Sequence, residues 1–177
     1  MITGTPRIGK TTLLLDILGS LRANGYTIGG MATREVCSRG VRIGFEILDL
    51  ASSDRGWLAH VNRKTGPRVG KYRVNLEDLE KIGVNAIRNA LQNMDVVAID
   101  EIGPMELLSK KFREVVREAF TSCKLVIGVV HWQATNKFAE EARTGGDAET
   151  YVVTHDNRER VSETVAKMAI RFLSVLQ

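Results

Sequence analysis

The sequence predicts an α/β fold of three layers, a mostly parallel central sheet flanked by helices, with a β-hairpin region inserted at about residues 28–74. Three observations carry this expectation. Helical periodicity recurs in four separated stretches, and short apolar runs without polar alternation lie between them. The stretch 28–74 has neither pattern and reads as short apolar segments divided by turn residues. A length of 177 residues fits one domain, 1–177, with a core that needs no metal or disulfide staple.

The elements follow in order. Only Met1, Ile2 and Thr3 precede Gly4, so the first strand is expected to be very short or cut short. A helix begins at Lys10 and sets Leu13, Leu14, Ile17, Leu18 and Leu21 on one side. Ile43 to Leu48 and Gly56 to Val61 read as antiparallel hairpin strands, and Asn62 to Gly70 as an exposed loop turning at Gly66-Pro67. A second helix carries Leu79, Ile82, Ala86 and Ala90, although Gly83 inside it costs about 1 kcal/mol against alanine. Val96 to Ile99 and Leu125 to Val130 suit strands buried on both faces, as in a parallel sheet, with a third helix between them on Phe112, Val115, Val116, Ala119 and Phe120. His131 to Gly146 is assigned no element. Tyr151 to Val153 is a short strand, and a last helix carries Val161, Val165, Met168, Ala169, Phe172, Leu173 and Leu176.

Composition narrows the function classes. The chain is 44% hydrophobic and 26% charged, ordinary for a globular protein. No apolar run approaches the roughly 18 residues of a membrane span, and the N-terminus carries no charged-then-apolar leader, so a cytoplasmic protein without a membrane partner is expected. Cys37 and Cys123 are far apart and read as reduced thiols; His60, His131 and His155 form no cluster. A net charge of +4 and a pI near 9.2 favour anionic ligands. The basic residues are scattered and aromatics make up only 6% of the chain, so nucleic acid is not the expected partner. A monomer is expected.

The motif with the most chemistry is Gly4-Thr5-Pro6-Arg7-Ile8-Gly9-Lys10-Thr11, which fits G-x-x-x-x-G-K-[ST] and is followed by Thr12. Its glycines let the backbone curl so that several N–H groups face one phosphate chain. Lys10 reaches the β- and γ-phosphates as a point charge, the Thr11 hydroxyl can ligate Mg²⁺, and the helix behind adds its positive end. Arg7 stands where many such loops have glycine and adds a cation near the phosphates. The bland alternative is a flexible glycine turn before a helix.

Asp95-Val96-Val97-Ala98-Ile99-Asp100-Glu101 reads as an apolar strand ending in two acids. In a phosphate-loop protein the aspartate at that strand end holds Mg²⁺ opposite Thr11, and the adjacent glutamate orients and deprotonates the attacking water. Lys10 and Glu101 are therefore the catalytic candidates, and Thr11 and Asp100 the metal candidates. The run Val96, Val97, Ala98, Ile99, Asp100, Glu101, Ile102 and Gly103 is assigned to the nucleotide site. Taken alone, the acids could be the solvated end of an ordinary strand.

These residues resemble a known family. Gly4 to Thr12, Thr33-Arg34-Glu35, Arg42-Ile43-Gly44-Phe45, Gly70-Lys71-Tyr72-Arg73-Val74, Asp100-Glu101-Ile102-Gly103-Pro104-Met105-Glu106-Leu107 and Thr154-His155-Asp156-Asn157-Arg158 look like the motifs of the small P-loop nucleoside-triphosphatases called thermophilic or cancer-related, in the same order and over nearly the whole chain. The resemblance implies one RecA-like P-loop NTPase domain. It also implies slow Mg²⁺-dependent hydrolysis of ATP, GTP, CTP and UTP/TTP to diphosphates, with loose base selectivity. The sequence departs from the family at Arg7, where glycine is usual, and at Pro104, where a basic residue is usual.

Several residues admit two readings. Asn157 and Arg158, which open the last helix, either contact base or ribose or belong to a capping box of Asp156 and Glu159. One of Arg34, Arg39 and Arg42 can stabilise transition-state charge, or all three are solvated. Glu106 reads as a helix-start acid, Trp57 and Trp132 as packing residues, and His155 as a loop residue. Two other functions compete with hydrolysis. One is a small-molecule or nucleotide kinase in which Arg63, Lys64, Arg68, Lys71 and Arg73 form a lid; the other is a nucleotide-dependent switch linked to nucleic acid.

Overall fold

The computed structural model describes residues 1–132 and 148–175. The order of elements is β1 (Ile2–Thr3), α1 (Lys10–Ala23), β2 (Ile28–Ser38), β3 (Val41–Asp49), β4 (Arg55–His60), β5 (Arg68–Val69) and β6 (Tyr72–Val74). A helical run follows, made of α2 (Leu76–Asp78), a π-wound stretch (Leu79–Val84) and α3 (Asn85–Asn93). Then come β7 (Val96–Ile102), a 3₁₀ turn (Glu106–Leu108), α4 (Lys110–Phe120), β8 (Leu125–Val130), β9 (Tyr151–Val152) and α5 (Arg158–Val175). Apart from His131 and Trp132, the stretch His131 to Gly146 lies outside the described residues, as does Leu176.

The nine strands among the described residues form one sheet, ordered β5-β6-β4-β3-β2-β7-β8-β1-β9. Strands β2, β7, β8, β1 and β9 pair in parallel, and β2, β3, β4, β6 and β5 pair antiparallel. The expected α/β layers with an inserted hairpin region are thus present, and the way the hairpins join the sheet is specific. Ile28 to Met31 of β2 pair with β7 in the parallel half, and from Met31 onward the same strand pairs with β3. The hairpins are a continuation of the central sheet, so the sheet is mixed. The first strand is short, as expected.

The absence of alternation in β7 has a direct structural cause. Val96 and Ala98 face a core built from Leu13, Leu14, Ile17, Leu18 and Leu21 of α1 with Ala166, Ala169 and Leu173 of α5. Val97 and Ile99 face the opposite core, with Leu79, Val84, Ile87, Phe112, Val115 and Val116. Each fully buried aliphatic side chain stabilises the fold by roughly 1.5–3 kcal/mol. The two layers therefore hold β7 rigidly from both sides and fix where its carboxyl end points.

The π-wound stretch explains Gly83. A Cβ there would lie 2.9 Å from the Met31 sulfur and 3.3 Å from a Leu79 methyl, so the glycine lets this helix press against β2. The last helix turns Ala166, Ala169 and Leu173 inward against α1, while Met168 and Phe172 of the same helical pattern are 43% and 46% exposed.

Candidate functional site

The loop from Gly4 to Thr11 connects β1 to α1 at the carboxyl edge of the parallel strands. Gly9 adopts φ 89°, a left-handed conformation open to glycine, and α1 starts directly behind it with the Leu13 N–H donating to the Gly9 carbonyl at 2.9 Å. No side chain caps this helix start, so its first N–H groups are left for a ligand. Lys10 is buried and folds back over its own loop, Nζ donating to the Gly4 carbonyl at 3.0 Å and the Thr5 carbonyl at 3.2 Å. Thr5, Pro6 and Arg7 are exposed at the loop crest, with Arg7 at φ 65°; Ile8 is buried beneath them, and Thr12 is exposed one residue into α1.

Asp100 lies at the end of β7, fully buried, and neither carboxylate oxygen has a hydrogen-bond partner. Burial pushes its pKa up to about 7; the Thr11 hydroxyl beside it works against that, the charge of Glu101 adds to it, and the Thr33 N–H and Lys10 oppose it. Two orphaned oxygens of a buried carboxylate facing a threonine hydroxyl fit a divalent cation, which replaces the missing partners. Among the described residues no group of three or more His, Cys, Asp or Glu forms a metal cage.

Glu101 is half-buried and raised in pKa by burial, against the attraction of Lys10 and of His131. One of its oxygens is buried without a partner. Glu106, read from sequence as an ordinary helix-start acid, is 5% exposed, and burial with the charge of Glu101 pushes its pKa up to about 8. A cavity of about 890 Å³ joins these parts. Its floor is Gly4, Pro6, Arg7, Gly9, Lys10 and Thr11, and one wall is Glu101, Gly103, Pro104, Met105 and Glu106 with His131 and Trp132. The opposite wall comes from the hairpins, through Thr33, Arg34, Glu35, Arg42, Phe45, Leu58 and Val69.

Several sequence assignments change in this geometry. Val96, Val97, Ala98, Ile99 and Ile102 are wholly buried in the two cores, and the strand they form carries Asp100 and Glu101 into place. Asn157 spends its amide on its own loop, accepting from the Thr154 N–H at 2.8 Å and donating to the Val152 carbonyl at 2.9 Å. Arg158 is different. It is exposed, and its guanidinium lies against Gly9, where a Cβ would come within 2.9 Å of Nη1.

Of the three hairpin arginines, Arg39 sits at the exposed tip, away from the cavity. Arg34 pairs with Glu46 across the β2–β3 ladder, its Nε 2.6 Å from the carboxylate. Arg42 is bonded to Glu35 and to the Tyr72 hydroxyl, and lies over the Phe45 ring at 5.0 Å. Neither cation is left without a counter-charge. Among Arg63, Lys64, Arg68, Lys71 and Arg73, none lines the cavity; Arg68 and Arg73 donate to the Gly70 and Gly66 carbonyls of their own loop. Trp57 packs edge-on against His60, whereas Trp132 lines the cavity and His155 is exposed outside it.

Comparison with known proteins agrees with this architecture. Residues 1–166 match the family described as NTPase. A nucleoside-triphosphatase THEP1 from Methanosarcina acetivorans is 43% identical over 173 residues, covering 97% of each chain. One from Methanocaldococcus jannaschii is 41% identical over 164 residues, covering 93% of this chain and 92% of its own. Among solved structures, THEP1 from the hyperthermophile Aquifex aeolicus superposes with a TM-score of 0.83 at 30% identity, covering 95% of this chain and 96% of the other. A human cancer-related nucleoside triphosphatase superposes with a TM-score of 0.79 at 33% identity, covering 94% of both.

Proposed function

The chain belongs to the NTPase family, and from that premise we propose that it is a nucleoside-triphosphate phosphohydrolase, dependent on Mg²⁺, that converts ATP, GTP, CTP and UTP/TTP to diphosphate and phosphate. The observation that carries the reading is Asp100, a buried carboxylate with both oxygens orphaned, next to Thr11, which lines the same cavity as Lys10 and Glu101. Asp100 and Thr11 would hold the magnesium ion, which supplies charge neutralisation to the β- and γ-phosphates.

The chain's own groups do the rest. Lys10 exchanges the Gly4 and Thr5 carbonyls for phosphate oxygens, and the uncapped N–H groups of α1 receive the phosphate chain. Glu101 orients a water against the γ-phosphorus and accepts its proton as the new P–O bond forms and the bond to the β-phosphate oxygen breaks. Loose base selectivity follows from a site whose phosphate end is made largely of backbone, with the Asn157 amide already committed to its loop. A kinase lid finds no support in the basic segment, because none of its five side chains reaches the cavity wall. No helix among the described residues is long and apolar enough to cross a membrane. Two exposed free thiols, Cys37 and Cys123, fit a reducing compartment such as the cytoplasm.

The test is phosphate release from ATP, GTP, CTP and UTP with Mg²⁺, comparing the unsubstituted protein with Lys10→Ala and Glu101→Gln. Lys10→Ala is expected to lose nucleotide affinity, and Glu101→Gln to keep it while losing roughly 100-fold or more in kcat. Tight nucleotide binding without phosphate release in the unsubstituted protein would refute hydrolysis.

A further inference from the structure

Between Arg55 and Arg73 the chain carries six basic residues and no acidic one. Strand register gathers several of them on one face. Val36, Gly44, His60, Arg73 and Arg68 are Cα partners in turn, a single row that crosses β2, β3, β4, β6 and β5 to the edge of the sheet. Residues of one row share a face of the pleat. Here it is the outer face of the hairpins. The neighbouring positions Phe45, Tyr72 and Val74 turn to the core, and a Cβ on Gly56 would meet Ile82 of the π-wound stretch at 2.5 Å.

Arg68 and Arg73 stand directly opposite each other, a pairing of like charges that weakens a strand ladder. Arg68 Nε donates to the Gly70 carbonyl at 2.9 Å and Arg73 Nη1 to the Gly66 carbonyl at 3.0 Å. Arg63 joins them from the loop between β4 and β5. Its Nε lies 3.8 Å from a Cβ built on Gly66 and is buried without a hydrogen-bond partner. Among the described residues, no ion pair with a carboxylate involves Arg63, Arg68 or Arg73. Three clustered guanidiniums without a counter-charge cost stability, and an anionic ligand would offset that cost.

The same row ends in two rings. Trp57 and His60 both lie over Gly44, where a Cβ would meet them at 2.9 Å and 3.1 Å, and their centroids are 4.6 Å apart, edge to face at 75°. Both are half-buried, and the Asn62 N–H fixes the imidazole by donating to Nδ1 at 3.0 Å. Glu46, the register partner of Trp57, is already neutralised by Arg34. From Arg68 to Gly44 the row spans three strand spacings, roughly 14 Å.

We propose that this outer face binds single-stranded nucleic acid, with backbone phosphates on Arg63, Arg68 and Arg73 and a base against Trp57 and His60. Planar guanidiniums grip phosphate oxygens in pairs, and half-buried rings offer a base a surface to stack on. An acidic peptide would satisfy the arginines and leave the rings unused. A bilayer would need apolar side chains that protrude, whereas these rings are held within the sheet. The role is independent of hydrolysis, because the strand lies on the other side of the hairpins from Phe45 and Val69, which line the nucleotide cavity.

The experiment is fluorescence anisotropy with labelled oligouridylate and oligothymidylate of about 20 nucleotides and a DNA duplex of about 20 base pairs, from about 50 to about 200 mM salt, without nucleotide. The proteins are the unsubstituted chain, Arg68→Gln, Trp57→Leu and Lys167→Ala, the last removing one positive charge from α5. At least one single strand is expected to bind more tightly than the duplex, and the tighter of the two identifies RNA or DNA as the strand. Arg68→Gln should raise Kd roughly 3- to 10-fold and flatten the salt dependence by about 0.7 in log–log slope. Trp57→Leu should raise Kd roughly tenfold with the slope unchanged, and Lys167→Ala should alter Kd by less than about twofold. The proposal is overturned by no binding of either single strand at about 50 mM salt, by a duplex that binds as tightly as both, or by an unchanged Kd in Trp57→Leu. It is equally overturned if Lys167→Ala weakens binding as much as Arg68→Gln, since attraction to the net charge of +4 then accounts for all of it. If Trp57→Leu does not fold, quenching of Trp57 fluorescence by unlabelled strand in a Trp132→Phe protein takes its place, and no quenching overturns the stacked base.

Discussion

Asp100 makes the nucleotide-free protein sensitive to pH in a way that Asp100→Asn should erase. Its carboxyl is raised from an ordinary 3.8 to about 7, mainly by burial. Between those values the folded protein holds a proton that the unfolded chain has released, so the unfolded state binds fewer protons and stability falls as pH rises. Each unit corresponds to about 1.4 kcal/mol, which makes the full effect about 4 kcal/mol once pH exceeds 7. Between about pH 5 and about pH 7.5 the expected loss is about 2.5 kcal/mol. The assay is urea unfolding at both pH values with a chelator present and no nucleotide, on the unsubstituted protein and Asp100→Asn. Asparagine leaves a buried polar group in the same place, but its cost does not vary with pH. The unsubstituted protein should therefore lose at least about 2.5 kcal/mol more than Asp100→Asn over this interval, because the Asp100 charge also helps raise Glu106 and that contribution shrinks in the variant. Parallel pH dependences in the two proteins would refute the reasoning that burial without a partner governs this carboxyl.

Two further outcomes follow from particular contacts. Gly83→Ala gains about 1 kcal/mol of helix propensity but drives a methyl into the Met31 sulfur at 2.9 Å, so a net loss of about 1–2 kcal/mol in urea unfolding is expected, with kcat unchanged; a more stable variant would show that the helix can shift away from β2. Arg158→Ala removes an exposed guanidinium lying on Gly9, so nucleotide affinity measured by calorimetry should fall roughly tenfold while stability stays within about 0.5 kcal/mol; an unchanged Kd would take Arg158 out of the site.

Legibility in the sequence tracked how local each feature is. The leucines of α1 announced a helix because their spacing is set by the helix alone, and the unbroken apolar run of β7 announced a strand covered on both faces. The phosphate loop was equally plain, since the residues from Gly4 to Thr11 that shape it are consecutive. The facing of α5 was not legible, because periodicity marked the helix without separating Ala169 and Leu173, which pack inward with Ala166 against α1, from the exposed Met168 and Phe172. Arg34 and Arg42 looked available because their neutralising partners, Glu46 and Glu35, are fixed by strand register and hairpin packing, which the sequence does not number. The burial of Glu106, read from sequence as a helix-start acid, was hidden for the same kind of reason. Its burial depends on how a 3₁₀ turn folds back beneath β7, and the one local hint was the glycine at position 103.

Strand β2 has a consequence for how the molecule comes apart. Its first residues are bonded to β7 and the remainder to β3, without interruption at Met31. The hairpin wall of the cavity and the strand that delivers Asp100 are thus flanks of a single ribbon, and Thr33, whose N–H lies beside Asp100, is part of that ribbon. Amide exchange along β2 should consequently proceed as one opening event, with the backbone of Thr33 as slow as that of Gly30. Breathing of the hairpins would then carry the backbone beside Asp100 with it, so that the protein trades local looseness at the cavity mouth for an all-or-none response to heat and denaturant.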